Sequence, residues 1–227
     1  MQTVNDIRQE FKQLLQTKEF VTDRSGSKTI EILGASFLAN ESAIFGTPNK
    51  EYIDAEIEWY KTQSTNINVL KEIYGKAPAA WQYTANDSGE VNSNYGYLIF
   101  SDRFHRQYDK VVAELVNNPY SRRAQLVYNR PSIWSEYNEQ GKNDFICTNA
   151  QTFYIRDKKL HMVSQMRSND AIFGYKNDYA WARYVQGSIV KEYNMYMRYV
   201  DRDRVVVGDL HWQVMNLHVY ERHFELI

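Results

Sequence analysis

"FICTNAQTFYIRDKKLHMVSQMRSND" runs from Phe145 to Asp170. Two runs rich in aliphatic and aromatic residues, FICTNAQTFYI and LHMVSQM, flank the charged turn RDKK, and this reads as two strands joined by a turn. The same stretch holds the chain's one cysteine, Cys147. Simple strand alternation puts Cys147 on one face with Phe145, Asn149, Gln151 and Phe153. Asn and Gln are unusual companions for Phe on a core face. From these residues two readings stay open. Cys147 is a buried, inert thiol, the common state of a free cysteine, or a nucleophile at the floor of a polar pocket, which needs cationic neighbours.

Outward from this pair of strands, helices and strands mix without strict alternation. Ile7, Phe11, Leu14 and Leu15 fall at helical spacing, with Asn5 as N-cap. TIEILGASF alternates as a strand after the glycine turn DRSGSK. KEYIDAEIEWYK is a helix with Ile53, Ile57 and Tyr60 on its apolar face, and RQYDKVVAELV is one built on Tyr108, Val111, Val112 and Leu115. AQLVYNRP reads as a strand stopped by Pro131, NDYAWARYVQGSIVKEY as a helix, and RVVVGDLHWQVMNLHVY as a strand. The pattern predicts an α+β fold with helices packed on a mixed β-sheet.

The 227 residues, 43% of them hydrophobic, suffice for one substantial core. With four prolines and no Pro/Gly/Ser linker, the chain reads as a single domain, 1–227. A net charge of −1 gives no general argument for nucleic acid or membranes. No apolar run approaches the ~20 residues of a membrane span, and no signal peptide is visible. One cysteine makes no internal disulfide, which fits a reducing cytoplasm.

Several residues break their local pattern. Glu56 falls on the apolar side of its helix, as an edge residue that snorkels to water or as a buried carboxylate with a raised pKa. Arg122 and Arg123 suit phosphate oxygens or form a solvated basic pair, and Arg24 in the glycine turn could act likewise. Arg167 and Ser168 end a strand before a polar loop that could hold a phosphate and then a base. The bland alternative there is a capped turn with Asn177 or Asp178 as helix N-cap. His218 and Tyr220 share a strand face and could both reach one hydroxyl. Cys147 and the five scattered histidines lack metal-ligand spacing, so no metal is expected.

Taken in order, Arg24, Glu56 in EIEWY, Trp81, Tyr95-Gly96 in NYG, Arg122-Arg123 after a serine, Cys147, Arg167-Ser168-Asn169-Asp170, His218 and Tyr220 resemble the thymidylate synthase superfamily. Within it, KTIEILGASF, EYIDAEIEWYK, GEVNSNYG, CTNAQTFYIRDKK, MRSNDAIFGYKNDYAW and LHVYERHF are similar to the phage deoxycytidylate hydroxymethylases. Two departures from the synthases matter. Thr148 follows the cysteine where they usually carry His, and Asp178 stands where Gly-x-Pro-Phe-Asn supplies their base-reading Asn. Cytosine presents a bare ring nitrogen and an amine. A carboxylate accepts from the amine, and one proton shared with the ring nitrogen completes a second hydrogen bond.

The resemblance implies sheets packed back to back in a homodimer and 5,10-methylenetetrahydrofolate as co-substrate. It implies Cys147 as nucleophile on carbon 6 of dCMP, Glu56 as organiser of water and protons, and Asp178 as base reader. Arg24, Arg167 and Ser168, with Arg122 and Arg123 from a second subunit, would hold the phosphate. Asn169 and Asp170 belong to the same substrate-binding motif, and Asp170 also borders the folate. His218 and Tyr220 would bind the sugar, while Trp81 and Tyr95 line the pocket beside the folate. A methyltransferase ending in hydride transfer and a non-catalytic nucleotide-binding relative are the competing readings. The chain stops seven residues after Tyr220, where members usually continue into a tail over the cofactor. A tail outside this chain or a different closure is therefore expected.

Overall fold

The computed structural model describes residues 1–23, 26–199 and 203–227. Its strands are β1 (Gln2–Thr3), β2 (Val21–Thr22), β3 (Lys28–Leu38), β4 (Gln125–Val127), β5 (Thr148–Arg156), β6 (Lys159–Met166), β7 (Asn169–Asp170) and β8 (Val206–Tyr220). Its α-helices are α1 (Val4–Thr17), α2 (Lys50–Thr62), α3 (Ile67–Tyr74), α4 (Ala79–Thr84), α5 (Tyr95–Phe100), α6 (Gln107–Asn117), α7 (Ile133–Glu136) and α8 (Gly174–Met197).

The strands form one sheet in the order β1-β3-β8-β6-β5-β4, with β2 on β3 and β7 on β8. β6 and β8 run parallel, while β3–β8, β5–β6 and β4–β5 are antiparallel. This is the expected mixed sheet of an α+β fold. The RDKK turn is a two-residue hairpin. Asp157 (φ 49°) and Lys158 (φ 56°) are both left-handed, which matches the twist of the flanking strands.

One face of the sheet carries the core. The register row Leu126–Gln151–Ser164–Trp212–Phe37 is buried throughout and lies under the helices. The adjoining row Val127–Ala150–Gln165–Gln213–Ser36 faces the other way and, Ala150 apart, is exposed or half-buried. There Gln165 Nε2 donates to Gln213 Oε1 at 3.0 Å.

Local signals explain most boundaries, and they correct three expectations. Thr3, not Asn5, caps α1, in a reciprocal capping box with Asp6. The buried side of α2 is Tyr52, Ala55, Glu56, Trp59 and Tyr60, while Ile53 and Ile57 stay half-buried. The larger aromatic areas win the inward positions. β4 ends at Val127, short of Pro131, because the N–H groups of Tyr128 and Asn129 both turn to Asn149 O.

α5 crosses α2 at Gly96. A Cβ there would lie 1.8 Å from Tyr60 O, so only glycine permits this approach. Gly96→Ala should cost about 3 kcal/mol in urea unfolding, because the obstacle is backbone rather than a flexible side chain. A loss below ~1 kcal/mol would mean that the two helices can part freely.

Candidate active site

Cys147 immediately precedes β5. Along β5 the register with β6 slips at Asn149, since Thr148 faces Met166 and Ala150 faces Gln165. This bulge cancels the simple alternation. Gln151 is turned into the core, where Tyr128 Oη donates to its Oε1 at 2.7 Å and Trp181 Nε1 donates to Tyr128 Oη at 3.1 Å. Asn149 Oδ1 accepts from Asn129 Nδ2 at 3.1 Å. The Asn and Gln beside the cysteine therefore serve the fold, and they do not form the wet face with Cys147 that alternation suggested.

Arg167 sits against the thiol. Its Nη2 is 3.4 Å from Cys147 Sγ, its Nε donates to Ile146 O at 3.0 Å, and its backbone N–H donates to Cys147 O at 2.9 Å. The Cys147 side chain is enclosed by protein yet keeps some exposure. Burial pushes the thiol up to about 11. Arg167 opposes this, and the carboxylates of Asp178 and Asp144 add to it. The cationic neighbour is present, but it does not outweigh desolvation. Thr148 Oγ1 donates to Tyr95 Oη at 2.9 Å.

Asp144 anchors the approach to this strand. Its carboxylate accepts from the N–H groups of Asn92 (2.6 Å) and Ser93 (2.8 Å) and from Ser93 Oγ (2.7 Å). That clamp ties the segment leading into Tyr95 and Gly96 to the segment leading into Cys147.

Glu56 is 5% exposed, so the buried reading holds rather than the snorkelling one. Tyr52 Oη donates to its Oε1, and so does Trp81 Nε1 at 2.9 Å. Both donors converge on Oε1, which leaves Oε2 open to another partner. Burial raises its pKa. Trp81 keeps part of its indole exposed, whereas Tyr95 is 5% exposed and stacks on Tyr60 as part of the wall.

Asp178 lies inside α8, which begins at Gly174. It is therefore not a helix N-cap, and the expected loop is the helix's first turn. Asp170 does the local turning, its carboxylate accepting from the N–H groups of Ile172 (3.0 Å) and Phe173 (3.2 Å). Asp178 Oδ2 accepts from Asn169 Nδ2 at 2.8 Å. Burial and then the charge of Glu56 push the Asp178 carboxyl up to about 8, against the pull of Asn169. The charges of Arg167 and Asp178 reach Cys147, and that of Glu56 reaches Asp178, so four separate elements or their ends bring these side chains into one linked group.

β7 lies along β8 with Asp170 opposite His218. His218 Nδ1 is 3.1 Å from Asn216 Oδ1, and Asn216 Nδ2 donates to Glu31 Oε2 at 3.0 Å. With the Asn216 amine committed to Glu31, its oxygen faces the ring. His218 then carries its proton on Nδ1 and offers Nε2 as an acceptor. Burial lowers the His218 pKa, against Asp170, which favours the neutral ring. Tyr220 meets this ring edge-on at 4.9 Å. The charge of Asp23 also reaches His218 and Tyr220, so the start of the glycine turn lies nearby. Arg24 lies outside the described residues. Ser168 is half-buried between Arg167 and Asn169.

Arg122 and Arg123 are not brought to this cleft. Both are exposed, and Arg123 pairs with Glu114 at 3.2 Å. They precede Gln125, which faces Thr152. Thr152 is four residues along β5 from Thr148, which at ~3.3 Å per residue puts the pair more than ~13 Å from the thiol. Sequence reasoning also missed Tyr52, Asn216 and Glu31. Tyr52 was findable one helical turn before Glu56, and Asn216 two residues before His218 on the same face.

Among the described residues, one His/Asp group, His161, Asp209 and His211, brings possible metal-ligand atoms within 4.8 Å of one another. It lies near the hairpin end of β6, away from Cys147. No helix among the described residues is long and apolar enough to cross a membrane.

Comparison with known proteins agrees with this geometry. The thymidylate synthase family model matches residues 8–227. The deoxycytidylate 5-hydroxymethyltransferases of Enterobacteria phages T4 and T6 are each 48% identical over 99% of this chain and 89% of theirs. A thymidylate synthase of Francisella philomiragia is 27% identical over 90% of this chain and 76% of its own. Among solved structures, the thymidylate synthase of T4 phage superposes with a TM-score of 0.71 at 20% identity, covering 96% of this chain and 77% of that one. The order of motifs, the mixed sheet and the cysteine–arginine cleft therefore have one common source: the chain belongs to the thymidylate synthase family.

Proposed function

We propose that this chain, as one catalytic domain, is a deoxycytidylate 5-hydroxymethyltransferase acting in the cytoplasm. The 48% identity to phage enzymes of that name supports it. What carries it is chemical: Asp178, gripped by Asn169 at 2.8 Å, lies beside Cys147 and Glu56, where burial pushes its carboxyl up to about 8. A largely neutral carboxyl at pH 7 brings the single proton that cytosine's ring nitrogen lacks.

Cys147 Sγ adds to carbon 6 of the pyrimidine, and the electrons of the 5,6 double bond make carbon 5 nucleophilic. Arg167 stabilises the thiolate that makes this bond. The Asp178 proton, shared with the ring nitrogen, lets the ring accept charge. Glu56, held through Oε1 by Tyr52 and Trp81, uses Oε2 to take the proton from carbon 5 and to orient water. That water supplies the hydroxyl oxygen, and release of Cys147 restores the double bond. Arg167 and Ser168, with Arg24, hold the phosphate, and His218 Nε2 accepts from the sugar hydroxyl beside Tyr220.

The partly exposed indole of Trp81, its N–H fixed on Glu56, fits a flat heterocycle in the same cleft. 5,10-Methylenetetrahydrofolate, when bound, supplies the carbon at the oxidation level of formaldehyde. Tyr95 acts through the wall. The sheet face that carries Gln165 and Gln213 packs on a second copy, which carries Arg122 and Arg123 toward the partner's phosphate site.

The test is incubation with methylenetetrahydrofolate and dCMP, dUMP or CMP, with the product weighed by mass spectrometry. dCMP is expected to gain a hydroxymethyl group. Turnover of dUMP alone would overturn the base assignment, and a methyl product would overturn the water step. Sedimentation at micromolar concentration should show a dimer.

A further inference from the structure

Asp178 is held from behind. Asn169 Nδ2 donates to Asp178 Oδ2 at 2.8 Å, and Trp212 Nε1 donates to Asn169 Oδ1 at 3.3 Å. Trp212 is 1% exposed and Asn169 4% exposed. An indole N–H can only donate. It therefore fixes the Asn169 amide with its oxygen toward the ring and its nitrogen toward Asp178. The flipped amide would set N–H against N–H beside Trp212, where both side chains are closed to water. Gly174 leaves the space for this chain of contacts. A Cβ there would lie 3.1 Å from Asn169 Nδ2 and 3.8 Å from Asp178 Oδ2.

We propose that Trp212 and Asn169 are positioning residues for base reading: they hold Oδ2 of Asp178 as a hydrogen-bond acceptor facing the ring nitrogen of cytosine, so that the proton the carboxyl brings ends on the base. This rests on the assignment of Asp178 as base reader. In the step, the O–H bond of the neutral carboxyl breaks, an N–H bond forms on the ring nitrogen, and the carboxylate remains as the counter-charge. Asn169 favours the transfer because its N–H stabilises a carboxylate oxygen more than a hydroxyl oxygen. Oδ1 then accepts from the exocyclic amine. Uracil fails on this surface because its carbonyl would face Oδ1 of a carboxylate, with no proton between them. The two residues thus make a neutral, two-sided carboxyl read in one direction. An unsupported carboxyl can place its proton on either oxygen and matches both bases.

The experiment compares wild type, Asn169→Leu, Trp212→Phe and Asp178→Asn. One readout is the dCMP to dUMP ratio of kcat/KM. The other is the 15N resonance of dCMP labelled at the ring nitrogen, bound without folate. Asn169→Leu should lower the ratio about tenfold and Trp212→Phe severalfold. The bound ring nitrogen should be protonated in wild type at pH 7 and less so in both variants. A general packing defect would lower both substrates alike and leave the resonance of bound dCMP in place. If Asn169→Leu does not fold, Trp212→Phe, which keeps a ring in the site, carries the same comparison. Unchanged ratio and resonance in these variants, with Asp178→Asn altering both, would overturn the positioning role alone. Unchanged values in Asp178→Asn would overturn the base-reading role beneath it.

Discussion

Asp178→Asn should move the preferred substrate from dCMP to dUMP, with kcat/KM for dCMP falling roughly 10³–10⁴-fold. The size follows from burial. Where a site is built around a hydrogen-bonding edge, the wrong base leaves groups unpaired that water cannot reach. An amide at this position keeps its oxygen toward Asn169 Nδ2 and turns its N–H toward the base, a pattern that suits uracil's carbonyl and not cytosine's amine. Unchanged selectivity in steady-state assays with both nucleotides would remove Asp178 from base reading.

The pH dependence has a definite sign. The proton that dCMP needs is present on the free enzyme below a pKa of about 8 and is lost above it. Affinity for dCMP should therefore be level on the acid side of 8 and fall tenfold per pH unit beyond it. Asp178→Asn should lack that limb. Stability moves the opposite way between variant and parent. The folded pKa stands above the ordinary 3.8, so the unfolded chain ionises first and the parent loses stability as pH rises from about 4 to about 8. At ~1.4 kcal/mol per unit the whole gap would exceed 5 kcal/mol. Asp178 keeps some solvent contact, and a gain of ~2 kcal/mol for the amide at pH 8 is the expected scale. A base reader that destabilises its own fold is the usual trade at an active site.

The sheet was legible in the sequence because its cues are local. RDKK makes the hairpin of β5 and β6, and the apolar positions of α6 repeat at helical spacing. The bulge at Asn149 was not legible. One extra residue changes which face every later side chain meets, and nothing in FICTNAQTFYI marks where it falls. The start of α8 was missed for a similar reason. Gly174 reads as a loop residue, but its lack of a side chain serves the Asn169–Asp178 contact rather than a turn. Glu56 was suspect from spacing alone, yet its burial became explicable only with Tyr52 and Trp81 beside it. The resemblance assigned Arg122 and Arg123 to the phosphate of a second subunit, and the register of β4 on β5 keeps them away from the cleft of their own.

Cys147→Ser should abolish release of tritium from carbon 5 of labelled dCMP, a loss of at least ~10⁴-fold, because a serine hydroxyl has no comparable access to its anion. The wild-type thiol makes a sharper test. At a pKa of about 11 only ~10⁻⁴ of it is ionised at pH 7, so its alkylation by iodoacetamide should rise tenfold per pH unit up to about 11. Arg167→Met removes the one group that pulls this pKa down, and it should move the limb upward and lower kcat/KM roughly 10²–10³-fold. Arg167 also donates to Ile146 O, so part of any loss could come from a loosened strand. Arg167→Lys separates the two effects. It keeps the charge near Sγ and gives up the planar fork, so the alkylation limb should stay close to wild type even where turnover falls. If both variants alkylate like the parent, the guanidinium at 3.4 Å does not govern the thiol, and the nucleotide itself must supply what ionises it.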